Sequence, residues 1–504
     1  MATVKKNKII WDSTDWLSGL HPQYDAGTNA ILFSGLEDSL SFNPFRRLGY
    51  AMPGKVPSDV TSASEVAAVL ENIIYVDGDK SYTVGGDSLY QFDEFNQEIT
   101  SDDDFPHAVS GATMSDVIQY KIGTTNYVFY SWYDGTDGDV GRLLTSGPTF
   151  DDEFMSTTPA NEAVLEKDVA HPMIVGDDDM LYIGNGNNLV RFDGQTGTDG
   201  TLSSPLAKLT LPSQYEIKSF SKLSNRTLVI FASTNETQTN YDGSVKAYFW
   251  DYISANPYAI YDIFGSKAGG AFEYKNTIGI FTKGISPDPG TSTRNVHLSL
   301  YDGSRFERNF SFKGGLPAKG GVEVVGDTIY ANNSGTVLMI DNPFPGVTSG
   351  PHQIAKGGGT SNGLLRTIKT GERLISSGTT TNGGLEVLST DYAEGTAETT
   401  FVSPVFNEGK KGQVTKIRIE FDKAVTGGRE FSAYLYNRDG TDVGKYTGIG
   451  TVTADKTILE KNITPSDNFD ALQLKLEWAT GDGATEAPVV KRVVVDYKEV
   501  NQLI

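Results

Sequence analysis

Short apolar runs, each ended by a tight polar turn, recur along most of this chain. Ile73-Ile74-Tyr75 precedes Asp77-Gly78-Asp79, Met173-Ile174 precedes Gly176-Asp177-Asp178-Asp179, and Val322 with Val324 precedes Gly326-Asp327. Gly, Asn and Asp tolerate the positive φ of hairpin turns, so each pattern predicts two antiparallel strands. The second strand of the pair has its own signature. A tyrosine and an aspartate stand eleven positions apart in three copies: Tyr82 to Asp93, Tyr182 to Asp193 and Tyr330 to Asp341. A leucine or valine lies seven positions past each tyrosine, at Leu89, Leu189 and Val337. Weaker copies centred on Tyr130, Phe231, Phe281 and Ile375 fill the gaps. The period is about 50 residues, the length of a four-stranded propeller blade.

Seven anchors, at 82, 130, 182, 231, 281, 330 and 375, predict seven blades, with six to eight as the range. Ring closure is the physical requirement, because an open row of blades leaves unpaired edge strands. Residues 29–33 (Asn-Ala-Ile-Leu-Phe) or the strand Leu385-Glu386-Val387-Leu388 are the candidates to complete the last blade. The long variable segments, such as 233–244 and 283–295, follow the second strand of a blade and leave one face of the ring, where a propeller carries specificity.

From about residue 396 the pattern changes to strict alternation. Ile417, Ile419 and Phe421 alternate with Arg418 and Glu420, and Leu472, Leu474, Leu476 and Trp478 alternate with Gln473, Lys475 and Glu477. Val493, Val495 and Tyr497 follow the same spacing. Period two means strands with one wet face, and several of them predict a β-sandwich over 396–504. Residues 1–60 fit neither pattern and read as an irregular arm. The expected fold is therefore all-β: an arm over 1–60, a β-propeller over 61–395 and a C-terminal β-sandwich.

Composition adds limits. The 504 residues contain 55 glycines, 24 tyrosines and 25 phenylalanines but no cysteine, so no disulfide and no thiolate metal site is available. The charged start, Met1 to Lys8, is followed by no apolar core of a signal peptide, and no run approaches a membrane span. The expectation is a chain made in the cytoplasm, without a signal peptide and without membrane insertion.

The arm holds Asn43-Pro44-Phe45-Arg46-Arg47, Gly49 and Pro53-Gly54, and the C-terminal part opens with Phe401-Val402-Ser403-Pro404-Val405-Phe406 and closes with residues 488–497 (Pro-Val-Val-Lys-Arg-Val-Val-Val-Asp-Tyr). In this order, with propeller repeats between, the chain resembles the β-propeller structural proteins of tailed-bacteriophage virions, such as tail-nozzle or hub components. The resemblance implies a virion tail part that assembles with itself as a ring and with other tail proteins, carries no chemistry and needs no cofactor. It also implies a host-surface glycan or receptor as a further partner.

The net charge of −22 lacks a basic face, which argues against sequence-specific nucleic-acid binding; an acidic wall would instead let DNA slide past. Trp11, Trp16, Phe45, Arg46, Arg47 and Tyr50 are the residue types that anchor subunit interfaces. Trp132, Tyr133 and Trp250 are the candidates for sugar stacking in a glycan-binding adhesin. Asp134, Asp137 and Asp139, closely spaced in a glycine loop, are the better of several acidic clusters for calcium, although they lack EF-hand spacing. The five histidines are dispersed, and nucleophile-elbow, P-loop and dinucleotide fingerprints are absent, so no catalytic residue is assigned. A propeller glycoside hydrolase ranks last. It would require two carboxyl groups facing each other at a propeller mouth.

Overall fold

The computed structural model describes residues 6–11, 38–40, 58–60, 66, 68–157, 165–197, 199–203, 206–234, 243–284, 295–341, 352–356, 363–369, 371, 373–376, 385–388, 399–403, 411–425, 431–437, 442–446, 456–464, 468–470, 472–478 and 489–500. By compactness the chain divides into two units, one of 58–335 with 357–388 and one of 1–57, 336–356 and 389–504. Each is described by itself.

The first unit is built on a β-propeller. Blade 1 runs Leu70–Asp77, Lys80–Gly85, Ser88–Asp93 and Glu98–Ile99, all antiparallel in that order. Blade 2 runs Thr113–Ile122, Thr125–Tyr133, Gly138–Leu144 and Thr149–Asp151, and blade 3 begins Met173–Val175, Leu181–Asn185, Asn188–Asp193. Blades 4 and 5 start at Tyr215–Leu223 and Lys267–Tyr274, and the sixth and seventh sheets at Val322–Val325 and Leu365–Thr367. All seven expected anchors fall on the second strand of a sheet, the last on Arg373–Ser376.

The repeat is explained by packing. Leu89, Leu189 and Val337 are fully buried, and Tyr82 and Tyr182 are buried with their hydroxyls bonded, Tyr82 accepting from Gln91 Nε2 and Tyr182 donating to Asp178. Asp93 and Asp193 end their strands by accepting backbone N–H groups two residues on, from Phe95 and Gln195.

The ring closes through the N-terminal side of the chain. Ser58–Asp59 pairs antiparallel with Leu385–Leu388, so blade 7 takes its outermost strand from residues far upstream. Leu385–Leu388 lies in the last blade as expected; residues 29–33 lie outside the described residues. Val60 and Val66 pack into a core shared by blades 1 and 7 with Leu70, Phe92, Leu364 and Leu374. Leu364 N–H donates to the Leu70 carbonyl at 2.6 Å, joining the innermost strands of the two blades.

The second unit is a sandwich of two sheets. One has the order Lys6–Trp11, Val490–Glu499, Gly412–Val425, Lys456–Asn462, and the other Asp38–Leu40, Thr399–Val402, Gln473–Trp478, Phe431–Tyr436, Asp442–Tyr446. Ile417, Ile419, Val493, Val495 and Tyr497 are buried, as their alternation requires, and Phe421 meets Phe431 across the sheets at 5.7 Å. The described parts of residues 1–60 are not an irregular arm: they are strands added to these sheets and to the last blade. Ile9 and Trp11 are buried while Ile10 is exposed, which is the period-two signature of a half-buried strand too short to stand out in sequence.

Candidate functional site

Each blade contributes its first strand to the inside of the ring, and polar residues near the start of those strands meet there. Asp116, on the first strand of blade 2, is completely buried. Its Oδ1 accepts from Asn72 Nδ2 of blade 1 at 2.8 Å and from the Val117 amide at 2.9 Å. Its Oδ2 accepts from the Met173 amide of blade 3 at 2.6 Å and forms an ion pair with Lys319. Four donors leave this carboxylate fully occupied, tying three blades together.

Lys319 comes from the segment that links blade 5 to the sixth sheet. Its ammonium also donates to the Met173 carbonyl at 2.5 Å, so the side chain reaches across to blades 2 and 3. Glycines let this segment lie close. A Cβ on Gly320 would sit 2.2 Å from the Glu71 carbonyl oxygen, and one on Gly270 would sit 2.5 Å from that of Ala318.

Glu71, beside Asn72, is the carboxyl of different character. No hydrogen-bond partner meets its side chain among the described residues. Burial raises its pKa above the ordinary glutamate range, and the Asp116 charge raises it further, against a smaller opposing effect from Lys267. A carboxyl whose neutral form is favoured in this way is the kind of group that can act as a general acid. Glu216, the second residue of the innermost strand of blade 4, is buried and paired with Lys218. Tyr133, at the end of the second strand of blade 2, is half-buried, and its hydroxyl pKa is raised by burial, then by the charges of Glu216, Glu71 and Asp168. Tyr133 therefore lies within the electrostatic reach of both glutamates.

The sequence candidates fare unevenly. Trp132 and Trp250 are not sugar platforms: both rings are buried, Trp132 donating to the Asp152 carbonyl at 2.8 Å and Trp250 to the Ser254 carbonyl at 2.6 Å, with Trp250 edge-on to Tyr182. Each stands in a run of consecutive buried residues and joins a core cluster, Trp132 with Tyr82 and Val128, Trp250 with Tyr182 and Tyr248. Tyr133 alone of the three is partly open to solvent. Asp134, Asp137 and Asp139 do not converge. Asp134 caps its own turn by accepting from the Thr136 and Asp137 amides, which holds its pKa down. Asp137 is exposed, and Asp139 points inward to the Val140 and Met155 amides and Ser156. Among the described residues no cluster of three or more metal-ligating side chains occurs. Trp11 is buried in its own sheet and is no subunit anchor; Trp16, Phe45, Arg46, Arg47 and Tyr50 lie outside the described residues. No described helix is long and apolar enough to cross a membrane.

Glu71, Glu216 and Lys319 carry no mark in sequence. Glu71 and Glu216 lie 145 positions apart in different blades and Lys319 a further 103 positions on, in the link between two blades, so no local motif joins them.

No family model and no curated protein matches the chain. Solved structures do. An exo-beta-1,3-galactanase from Phanerochaete chrysosporium is 12% identical, with 87% of this chain and 96% of that one covered and a TM-score of 0.34. A glycoside hydrolase family 43 arabinoxylan arabinofuranohydrolase from Bacillus subtilis is 13% identical over 88% of this chain and 99% of that one, with a TM-score of 0.30. The Dos1 propeller is 12% identical over 68% and 96%, with a TM-score of 0.41. These likenesses speak to the propeller fold alone. The expectation of a chain without chemistry is nevertheless withdrawn: the inside of the ring holds Glu71, a carboxyl set apart by desolvation, which no sequence motif marks.

Proposed function

We propose that the chain is a propeller glycoside hydrolase that works at the inside of the ring, with Glu71 as its acid. The observation that carries this reading is the contrast between two glutamates: Glu71 unpartnered with a raised pKa, Glu216 ion-paired with Lys218. Glycoside hydrolysis needs one carboxyl protonated and one ionised. Glu71 gives its proton to the departing glycosidic oxygen, the C–O bond breaks, and water supplies the hydroxyl that ends on the anomeric carbon while Glu216 takes up the water's proton. Tyr133, in the field of both, is placed to donate a hydrogen bond to the sugar.

The test is release of reducing sugar from a panel of bacterial and plant polysaccharides by the purified chain. Glu71→Gln lowers the rate by about 100-fold or more, the usual share of a general acid. Absence of release across the panel, or full activity in Glu71→Gln, refutes the reading.

The virion-tail placement is a second proposal, supported by the sequence order of N-terminal segment, propeller and sandwich, and a hydrolase for surface glycan is compatible with it. Because Lys319 spans the inside of the ring to blades 2 and 3, a duplex would pass along the axis of an assembly of copies and not through one ring. Light scattering that shows only monomer at micromolar concentration would remove this proposal and leave the hydrolase reading untouched.

A further inference from the structure

We propose that Tyr434 and Tyr436 form a sugar-stacking platform on the outer face of the sandwich, a binding site for a neutral polysaccharide. The site goes beyond the hydrolase reading and does not depend on it. Both tyrosines stand on the strand Phe431–Tyr436, where Phe431, Ala433 and Leu435 are buried and Ser432, Tyr434 and Tyr436 face outward. Period two therefore puts the two rings on one face, away from the core. Their planes lie within 13° of parallel, with centroids 6.1 Å apart. Two strand residues rise about 6.5–7 Å, so the rings follow one another along the strand and each keeps part of its face free. Core rings of this unit behave otherwise: Phe421 meets Phe431 at 79° and Phe469 meets Tyr497 at 70°, edge to face.

The neighbouring strands supply polar groups at the ring edges. Lys475 stands directly opposite Tyr434 in the register, its Nζ 6.0 Å from the ring centroid, and is ion-paired with Glu477. Burial raises the Tyr436 hydroxyl pKa, the Lys475 charge opposes the rise, and the Glu477 and Asp442 charges add to it, so all three charges lie near that ring. Neither tyrosine hydroxyl has a hydrogen-bond partner among the described residues. Strand preference accounts for one tyrosine on a wet face. Two parallel rings with free hydroxyls, beside an ammonium and two carboxylates, make a ligand surface: the C–H faces of successive sugar units lie on the rings, and sugar hydroxyls bond to the phenols, Lys475 and Glu477. Charge selects the polymer. Two carboxylates against one ammonium, in a chain of net charge −22, repel an anionic glycan and admit a neutral one.

The test is native affinity electrophoresis of the full chain, carrying Glu71→Gln so that the polymer stays intact, in gels containing xylan, galactan, mannan or mixed-linkage glucan, with polygalacturonate as the anionic control. Retardation is expected with at least one neutral polymer and not with polygalacturonate. Tyr434→Ala and Tyr436→Ala are each expected to weaken it by about tenfold or more, whereas Tyr434→Phe and Tyr436→Phe, which keep the rings, hold it within about threefold. Without further substitution, the same polymer is expected to slow nitration of both tyrosines by tetranitromethane. No retardation by any neutral polymer, retardation equal in all four variants, or unchanged nitration overturns the platform. Self-association in light scattering that is lost in the alanine variants overturns it too, since the face would then belong to a second copy. Binding with no sugar release by the unsubstituted chain keeps the platform and refutes the hydrolase reading; sugar release with no retardation does the reverse.

Discussion

Replacing Asp116 by alanine strips the inside of the ring of its main acceptor. Two buried amides, Val117 and Met173, lose partners at 2.9 and 2.6 Å, and the Asn72 side chain loses one of its two. A buried donor left without a partner costs roughly 1–3 kcal/mol. Breaking a wholly buried ion pair costs about 3–5 kcal/mol, but the Lys319 side chain keeps 25% exposure and can turn to water, so its share is smaller. The sum is about 3–4 kcal/mol, or a factor of roughly 10² to 10³ in the local opening equilibrium. Native-state hydrogen exchange at Val117 and Met173 reads this directly, and their protection is expected to fall by that factor while amides in the Val490–Glu499 strand stay as they were. A loss of protection below tenfold at both amides would show that the carboxylate is not the tie between blades 1, 2 and 3.

Other outcomes follow from residues already placed. Asp139 is buried, and desolvation pushes its pKa up to about 7 despite the donors from Ser156, Val140 and Met155. Its folded pKa exceeds the unfolded 3.8, so its contribution to stability is complete below pH 3.8 and is lost as pH rises through 7. Asp139→Asn should therefore be more stable than wild type at pH 8, by at most about 4 kcal/mol, with no gain at pH 4, as urea midpoints at the two pH values would show. Trp11→Ala removes a buried indole from the Lys6–Trp11 strand and is expected to cost the sandwich about 3–5 kcal/mol; hydrogen exchange should report the loss in Val490–Glu499 and not in blades 2 to 4.

The propeller was legible because its signal is local and repeated. Tyr82 and Leu89 belong to one hairpin, and a hairpin of this kind occurs in seven sheets, with the tyrosine and the leucine or valine kept in three of them and other large apolar residues at the anchor in most of the rest. The sandwich was legible for the same reason, in alternations such as Ile417 to Phe421. The N-terminal strands were not, because Lys6–Trp11 and Asp38–Leu40 find their partners at 493–498 and 400–402, and a strand of three to six residues has no pattern of its own. Trp132 and Trp250 misled because an aromatic at a strand end looks alike whether its ring faces a sugar or a core; only the neighbouring blade decides. The inner carboxyls were invisible, since what sets Glu71 apart is its burial and then the nearby charge of Asp116, which the folded ring alone supplies.

The closing strand of the ring has a consequence for synthesis. Ser58 pairs with Val387, and Lys6 with Lys498, so two N-terminal strands leave the ribosome long before their partners exist. At roughly 5–20 residues per second the wait is on the order of 20 to 100 s. Throughout that interval Ser58–Asp59 and Lys6–Trp11 are unpaired edges, open to any strand that reaches them first. Between neighbouring nascent chains on one message, that first strand can belong to another copy, and a ring closed in this way would be an exchanged dimer formed before either chain was complete.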